Sequence, residues 1–398
     1  MTTARPKLVL HVAPTPFFAD RGCHIRIEGI VRSLKQLGWE SLVCTYHHGH
    51  DVAGVTTKRI TPIPAYTQTS AGPNPWKLWA DLKLLGLVFK QVKQHHPAVL
   101  HAHLHEGLFI ALLIKWLFFW RGIPVVADLQ GSFTGELDSH GVFKRVPFLR
   151  GVSRLCERVL MWFPTHIVCS SERSLSLFSE QFSISTARMS LAQDGADEAQ
   201  PLSDEQRTAL RQDHGIPTTM PVLVYSGALL QAKGLVQLQE LIQAAKARDT
   251  AVHFLIIGYP TNELSDYLKH NKLEHRCTLL GQVAFDQLQP LLSCADMAID
   301  PKNFDAGEGS GKMLNYMACG LPVLAFNTQN NRSFLPANSE LANSVIDLSL
   351  QLDKWSNDAP LRERIGHQNR EFFKAHYSWN ITRDQLQKTY ALLFKGKH

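Results

Sequence analysis

The sequence predicts an α/β protein built from two successive doubly wound units, each a parallel sheet with helices on both faces. Short apolar runs alternate with amphipathic helical patterns from the first residues to about position 330. This alternation weakens over 193–221, where the chain is polar and rich in turn residues. The 398 residues suffice for two or three domains with cores of their own. Ligands of such sheets bind beyond the carboxyl ends of the strands, so we expect a site in a cleft between the units.

The first unit is predicted over residues 1–195. Its first helix follows a loop after the opening strand and keeps apolar residues at 3.6-residue spacing until Gly38 ends it. Strands are predicted at Leu8–Ala13, Trp39–Thr45, Val99–His103, Pro124–Leu129 and Thr165–Ser170, and helices at about His24–Leu37, Trp76–His95 and Gly107–Trp120.

The second unit is predicted over residues 196–375, and the tail over 376–398. The tail continues a helical pattern and has no strand of its own, so it must pack onto a neighbouring element. Strands are predicted at Val222–Tyr225, His253–Ile257, Cys277–Leu280, Met297–Asp300 and Val323–Phe326, and helices at about Leu235–Arg248, Lys312–Ala318, Leu361–His376 and Trp379–Phe394.

Charge and composition exclude several classes of protein. The 41 Lys+Arg and 35 Asp+Glu give a formal charge of +6, too dilute for a dedicated nucleic-acid binder. The seven cysteines are scattered without a C-x-x-C pair, which favours buried thiols in a reducing compartment. The apolar run Leu108–Trp120 is interrupted by Lys115 and falls short of the roughly 20 residues that span a bilayer. We therefore expect a cytoplasmic protein, at most peripheral to a membrane.

The glycine-rich segment before residue 312 is the first candidate site. Gly307, Gly309 and Gly311 form a loop that a ligand can approach closely, and a helix begins near Lys312. A helix N-terminus offers free N–H groups to an anion. Glu308 and Asn315 stand beside that first turn, where they could bind sugar hydroxyls. The alternative is an ordinary glycine turn before a buried helix.

Two other strand–glycine–helix junctions carry cations. A predicted strand ends at Gly227, and Lys233 precedes an apolar helix, where it could neutralise a phosphate or simply be solvated. In the first unit Gly22 precedes a helix whose opening turn contains Arg26. Such junctions in both halves indicate a site for a phosphorylated ligand.

Four segments together resemble the GT-B fold glycosyltransferases of family 4. They are PFFADRGCHIRIEGIVRSLKQLGW, VLHAHLHEG followed by GIPVVADLQGS, YSGALLQAKG, and KMLNYMACGLPVLAF. The resemblance implies two Rossmann-like domains facing across a cleft, with acceptor on the first and donor on the second, and a C-terminal helix that crosses back to the N-terminal domain. It also implies retaining, metal-independent transfer from a nucleoside-diphosphate sugar, without another cofactor.

The chain departs from the family pattern at four positions. The E-x7-E motif would need Glu at Gly307 and Asn315, although Glu308 stands one residue later. The usual arginine of the diphosphate pair is Ala228, and a histidine on the sugar side is Gln130.

The resemblance, with these substitutions, assigns roles to particular residues. Catalysis rests mainly on stabilising the departing diphosphate. Lys233 and Glu308 are assigned as catalytic; Gly22, Gly227, Gly309, Ser310, Gly311, Lys312 and Asn315 as donor-binding; and Arg26, His103 and Gln130 as the acceptor or sugar side.

A metal is not expected from the sequence. No D-x-D pair appears near a strand end. The alternating His101, His103 and His105 imitate a metal site on one face of a strand end, but no carboxylate or cysteine completes the set at ligand spacing. Structural or acceptor-side roles are therefore favoured for these histidines.

Two segments of the first unit mix cations with large apolar residues, over 114–122 and 143–163. As a helix, the second separates Val152, Leu155 and Val159 from Arg154 and Arg158. It is interpreted either as a helix packed on the sheet or as a peripheral membrane contact at the inner face.

Two functions follow from the sequence. The first is a retaining glycosyltransferase that acts on a glycan or lipid-linked saccharide acceptor, as in cell-surface polysaccharide or glycolipid assembly. The alternative, permitted by the four substitutions, is a catalytically silent relative that binds a nucleotide or glycan as a partner protein.

Overall fold

A computed structural model describes residues 7–19, 22–67, 74–139, 143, 147–304 and 311–394. The chain divides into two units. Unit 1 comprises Met1–Gly195 together with Trp379–His398, and unit 2 comprises Ala196–Ser378.

Unit 1 contains, among its described residues, a seven-stranded parallel sheet in the order β3-β2-β1-β4-β5-β6-β7. Its central strands β4 and β5 are buried on both faces, and they combine apolar residues with the buried polar residues His101, His103 and Asp128. The strands are β1 Leu8–Ala13, β2 Glu40–Thr45, β3 Thr56–Arg59, β4 Val99–His103, β5 Val125–Leu129, β6 His166–Cys169 and β7 Met189–Leu191. The helices are α1 Gly22–Gln36, α2 Lys77–His95, α3 Leu104–Leu117, α4 Phe133–Ser139, α5 Leu149–Leu160, α6 Glu172–Phe182 and, from the end of the chain, α15 Trp379–Phe394.

The predicted doubly wound architecture is confirmed. In unit 1, α2 and α3 contribute to the core on one face of the sheet, and α1 and α15 cover the other. The terminal helix α15 crosses back onto α1, as the resemblance implied. Gly29 permits this contact, because a Cβ there would lie 2.1 Å from the ring of Trp379.

Unit 2 contains, within the described part of the chain, a five-stranded parallel sheet in the order β10-β9-β8-β11-β12. The strands are β8 Val222–Ser226, β9 His253–Ile257, β10 Cys277–Gly281, β11 Met297–Asp300 and β12 Val323–Ala325. The helices are α7 Asp204–Asp213, α8 Leu235–Ala247, α9 Asn262–His270, α10 Phe285–Ser293, α11 Gly311–Ala318, α12 Gln329–Phe334, α13 Val345–Asn357 and α14 Ala359–His376.

The structure corrects the interpretation of the polar segment near residue 200. Helix α7, Asp204–Asp213, lies within the polar, turn-rich segment 193–221, for which no helix was predicted. Ser203 accepts a hydrogen bond from the Gln206 amide, and the Gln206 side chain accepts one from the Ser203 amide. This reciprocal cap was visible in the sequence as S-x-x-Q, a signal for a helix start that does not depend on apolar spacing.

Among the described residues, the helices are too short or too polar to cross a bilayer.

Candidate active site

The carboxyl edge of the unit 2 sheet brings a lysine to the ends of two strands. Lys312 lies in the first turn of α11, and its Nζ is 2.7 Å from the Oδ1 of Asp300, the last residue of β11. The same Nζ lies 4.8 Å from the ring centroid of Tyr225, near the end of β8. The Asp300 carboxylate is fully buried and the Lys312 side chain mostly so. A cation is thus fixed in the first turn of a helix, and helix N-termini are common anion-binding positions.

Helix α11 is held against β8 by a buried tyrosine. The Ser226 amide donates to the Tyr316 hydroxyl over 2.7 Å, and the Ser226 hydroxyl donates to it over 3.2 Å. Burial raises the pKa of Tyr316 above its ordinary value, more than these bonds lower it. The hydroxyl therefore stays protonated and keeps the start of α11 in register with the end of β8.

The turn after β8 packs tightly against the turn after β9. Gly227 has φ of +137°, and its carbonyl oxygen lies only 1.8 Å from where a Cβ of Gly258 would stand. The next residue, Ala228, accepts a hydrogen bond from the Tyr225 hydroxyl over 2.8 Å. Gly227 therefore lies at the predicted edge, in a turn that side chains would disrupt.

Lys233 and Asn315 belong to the same end of unit 2. Lys233 is half-buried and closes a short 3-10 turn before α8. The following Gly234 has φ of +89°, and a Cβ there would meet the carbonyl of Pro301 at 2.5 Å, so the turn packs on the segment after β11. Asn315 is half-buried one turn after Lys312 on α11. The predicted Gly307, Glu308, Gly309 and Ser310 lie outside the described residues, and their roles stay predictions.

In unit 1 the structure places Arg26 in a buried ion-pair network. Its side chain is 1% exposed, and its Nε donates to Asp128 on β5 over 2.9 Å. A second nitrogen donates to Asp194 over 2.7 Å and to the Ala192 carbonyl over 2.8 Å. All three guanidinium nitrogens are used within the fold. Arg26 therefore pairs with Asp128 and Asp194, and its assignment to the acceptor or sugar side stays a prediction.

His103 is buried in the same network. Its Nδ1 lies 2.9 Å from Asp128 Oδ2, and its Nε2 lies 3.0 Å from Nδ1 of His11. Burial alone raises the pKa of Asp128, but the charge of Arg26 and the His103 hydrogen bond outweigh it, so the pKa lies well below its ordinary value. Asp128 is thus the carboxylate around which this end of the sheet is built. Sequence analysis did not identify Asp128, because nothing in the segment VVADLQ distinguishes it from an ordinary aspartate.

Two statements about the alternating histidines were wrong. His101 and His103 share one face of β4, but His105 lies on α3, 3.3 Å from Glu157. A carboxylate does join the pair, since ligand atoms of His101, His103 and Asp128 lie within 4.8 Å of one another. Both oxygens of Asp128 already accept hydrogen bonds from Arg26, so the group is arranged as an ion-pair network.

The remaining predicted residues lie at the carboxyl edge of the unit 1 sheet. Gln130 is half-buried and directly follows β5. Gly22 is exposed at the start of α1, and a Cβ there would meet no described atom within 4 Å. The described residues therefore leave room for a side chain at position 22.

Two family descriptions match the chain, one for each unit. Residues 21–193 match the glycosyl transferase 4-like domain, and residues 206–372 match the glycosyl transferases group 1. Together the two matches cover most of the sequence. The chain belongs to the GT-B glycosyltransferases of this family 4-like class.

Several known proteins resemble the chain at low sequence identity. A GDP-mannose-dependent monoacylated alpha-(1-6)-phosphatidylinositol monomannoside mannosyltransferase of Corynebacterium glutamicum is 25% identical over 198 residues, which are 47% of this chain and 51% of that relative. The match thus spans about half the length of the relative. The sucrose-phosphate synthase of Thermosynechococcus elongatus has a TM-score of 0.78 at 15% identity, over 98% of this chain and 99% of its own. Anabaena HepE, solved with UDP and glucose, has a TM-score of 0.74 at 16% identity, over 97% and 99%. These two structures share the fold.

Proposed function

We propose that this glycosyltransferase is a retaining enzyme that moves a sugar from a nucleoside-diphosphate sugar to a glycan or lipid-linked saccharide. The observation that carries the proposal is the lysine at the N-terminus of α11, fixed between the ends of β8 and β11. Lys312 is paired with Asp300 over 2.7 Å and is still partly exposed. A diphosphate at this edge would meet a positive side chain and free N–H groups together.

The chemistry that the site can supply is stabilisation of the leaving group. Negative charge grows on the nucleoside diphosphate as its bond to the sugar breaks, and fixed donors at that point lower the barrier. Lys312 and Lys233 supply cations, while Gly227 and Gly311 give the phosphates access to the backbone. Asn315 would bind a sugar hydroxyl, and Glu308 would take the role of the family's missing glutamate. With two lysines near the diphosphate, the transfer would need no divalent cation.

The acceptor is the less defined half of the proposal. The corynebacterial relative is named for an acylated phosphatidylinositol mannoside acceptor, which supports a lipid-linked saccharide here. We place the protein in the cytoplasm, at the inner face of the membrane, in cell-surface polysaccharide or glycolipid assembly. Residues 143–163 would provide the peripheral membrane contact, and Gln130 would lie on the acceptor side.

A thermal-shift panel with UDP, GDP, ADP, CMP and their sugars tests the donor site. A nucleotide at about 100 times its Kd stabilises the fold by about 2.7 kcal/mol. Lys312→Ala removes one charge-assisted contact, commonly about 1.5–3 kcal/mol, and should weaken nucleotide binding at least tenfold. The readout is the nucleotide-induced shift, because the loss of the Asp300 pair lowers the starting Tm. Lys374→Ala, which changes a lysine paired with Glu371 on α14, should leave the shift unchanged.

Turnover distinguishes the enzyme from the silent relative. Hydrolysis of the donor that gives the largest shift, unchanged by a chelator, supports a metal-independent transferase. Binding of the nucleotide without hydrolysis or transfer to any saccharide would support the silent relative. No shift with any nucleotide would refute the proposed donor site.

A further inference from the structure

Helix α5 is oriented with its apolar side outward. Of its twelve residues, all of them described, only Glu157 is buried. Leu155 is 62% exposed and Val152 is 50% exposed, and Val159 also faces outward. A helix packed on a sheet would bury these side chains and expose the glutamate. The expectation that this helix packs its apolar side on the sheet is therefore wrong.

The hydrogen bonds of Glu157 explain this orientation. Its carboxylate accepts from the amides of Phe133 and Thr134 over 2.8 and 3.0 Å, and from the hydroxyls of Ser132 and Thr134 over 3.0 and 2.7 Å. Burial raises the pKa of Glu157, but His105 and the hydrogen bonds from Thr134 lower it to about 2. The carboxylate is thus ionised, buried and satisfied, which ties one side of α5 to the start of α4. The opposite, apolar side is left outward.

A group of exposed aromatic residues continues this surface. Trp116 is 73% exposed at the end of α3, and Phe119 is 74% exposed just beyond it. The Lys115 ammonium donates to the Phe163 carbonyl over 3.4 Å, which joins this group to the segment after α5. We call the whole surface the α3–α5 face. It comprises Trp116, Phe119, Trp120, Val152, Leu155, Val159, Trp162 and Phe163, all exposed.

Apart from the buried Glu157, the charged residues of α5 and of residues 108–122 are positive, and Arg150 of α5 is paired with Asp138 of α4 over 2.6 Å. Arg154 is exposed on α5, and the Arg158 guanidinium lies 6.0 Å from the ring centroid of Trp162. Glu157 is the sole acidic residue of α5, and the sequence 108–122 has none. Since Glu157 points inward, the face combines apolar and aromatic side chains with cations. That combination matches the boundary between acyl chains and anionic headgroups.

We propose that the α3–α5 face docks on a bilayer surface that contains anionic phospholipid. Helix α5 would lie in the interfacial plane, with Leu155 in the acyl boundary and Arg154 at the phosphates. Tryptophan is favoured at this depth. A second copy of the chain is a poorer occupant, because a two-fold contact between identical faces would bring the same arginines together.

The position of the face gives the docking a role, and this part rests on the proposed function. Glu157 binds residues 132–134, which follow Gln130 at the carboxyl end of β5. The face therefore lies beside the predicted acceptor edge of unit 1. A saccharide carried on a lipid could reach that edge without leaving the bilayer, which deepens the acceptor class from a glycan to a membrane-held glycolipid.

Vesicle flotation of the full chain tests the proposal. We expect binding to vesicles of equal parts phosphatidylcholine and phosphatidylglycerol, and weaker binding to phosphatidylcholine alone. Leu155→Asp should weaken partitioning at least tenfold, and Arg154→Gln about fivefold on the anionic vesicles only. Ile346→Asp is the matched control, since Ile346 is 71% exposed on a helix of unit 2. It should bind like the wild type.

Three results would overturn the proposal: no flotation with anionic vesicles, equal losses for Leu155→Asp and Ile346→Asp, or a wild-type dimer that Leu155→Asp dissociates. Circular dichroism of Leu155→Asp checks that it folds, and Trp116→Ser provides a second variant on α3. Donor hydrolysis without vesicles separates the two proposals. Vesicle binding without hydrolysis would refute the proposed transfer from a nucleotide sugar alone. Hydrolysis without vesicle binding would refute the docking, together with the membrane contact proposed for residues 143–163, and would leave the sugar transfer supported.

Discussion

Acidification should destabilise unit 1 through a buried histidine. His101 lies fully inside the fold, with Nδ1 2.7 Å from the Tyr390 hydroxyl of α15. Its ring stacks on those of His11 and His103, with centroids 5.1 and 4.8 Å apart. Burial, and then the charge of His103, lower its pKa to about 3, although Asp128 acts in the opposite direction. His101 therefore stays neutral in the folded protein at a pH at which the unfolded chain has already bound a proton.

The size of the effect follows from the two pKa values. The unfolded histidine titrates near 6.5 and the folded one near 3. Since the unfolded state binds more protons, stability falls as the pH drops below about 6.5. His101 alone should cost about 2 kcal/mol at about pH 5, and about 5 kcal/mol below about pH 3, where both states are protonated. The pKa of His11 is also lowered well below its ordinary value by burial, so His11 adds a loss of the same sign.

Urea unfolding of the wild type and of His101→Asn, at about pH 7.5 and about pH 5, measures this contribution. Asparagine keeps an oxygen for the Tyr390 hydroxyl but does not titrate. Asp81 has the opposite effect on stability, because burial raises its pKa to about 6. Both proteins contain Asp81, so its contribution cancels when they are compared. His367→Asn, on the surface of α14, should keep the wild-type pH dependence. If the wild type and His101→Asn lose stability equally on acidification, to within about 0.5 kcal/mol, the reasoning is refuted.

Three further substitutions test the packing. Asp128→Asn leaves Arg26 with less compensating charge and should cost about 3–5 kcal/mol in urea unfolding; a cost below about 1 kcal/mol would contradict the ion-pair network. Gly29→Ala forces a methyl into the Trp379 ring of α15 and should lower the free energy of unfolding by about 1–3 kcal/mol. The control Gly86→Ala, on an open part of α2, should raise it by about 0.5–1 kcal/mol. Equal changes in Tm for the two variants would contradict the packing of α15. Tyr316→Phe leaves the amide at the end of β8 without its partner and should cost about 1–3 kcal/mol in urea unfolding, while no loss would show that the bond does not hold α11.

The sequence predicted the fold well because a buried parallel strand can be recognised from a few consecutive residues. A strand buried on both faces is a short, mostly apolar run between turn signals, and β8, β9 and β11 have that form. Strands whose side chains are less buried are harder to recognise from the sequence. The edge strand β3 alternates between exposed and half-buried residues, and its sequence TTKR contains no apolar residue to reveal it.

The junction in unit 2 is easier to locate from the sequence than the buried network in unit 1. Asp300, Gly311 and Lys312 belong to one strand–loop–helix junction, so they are close along the chain as well as in space. Arg26 and Asp128 are 102 residues apart in sequence. A cation near a helix start looks the same in a sequence whether it awaits a ligand or pairs with a distant carboxylate. Only the tertiary structure shows that Arg26 is already paired.

Helix α5 marks the limit of pattern arguments, since an amphipathic sequence defines two faces and does not say which one is buried. Burying an apolar side chain of this size fully is worth about 1.5–3 kcal/mol, and α5 forgoes much of that at Val152, Leu155 and Val159. Turning the helix around would strand Arg154 and release Glu157 from four donors. The hydrogen bonds of the Glu157 carboxylate therefore decide the orientation. The apolar side of α5 stays exposed to water, so the protein alone does not gain the free energy of burying it. Transfer of the apolar side into a lipid interface would gain this burial free energy, and this is why we assign a bilayer as the partner of the α3–α5 face.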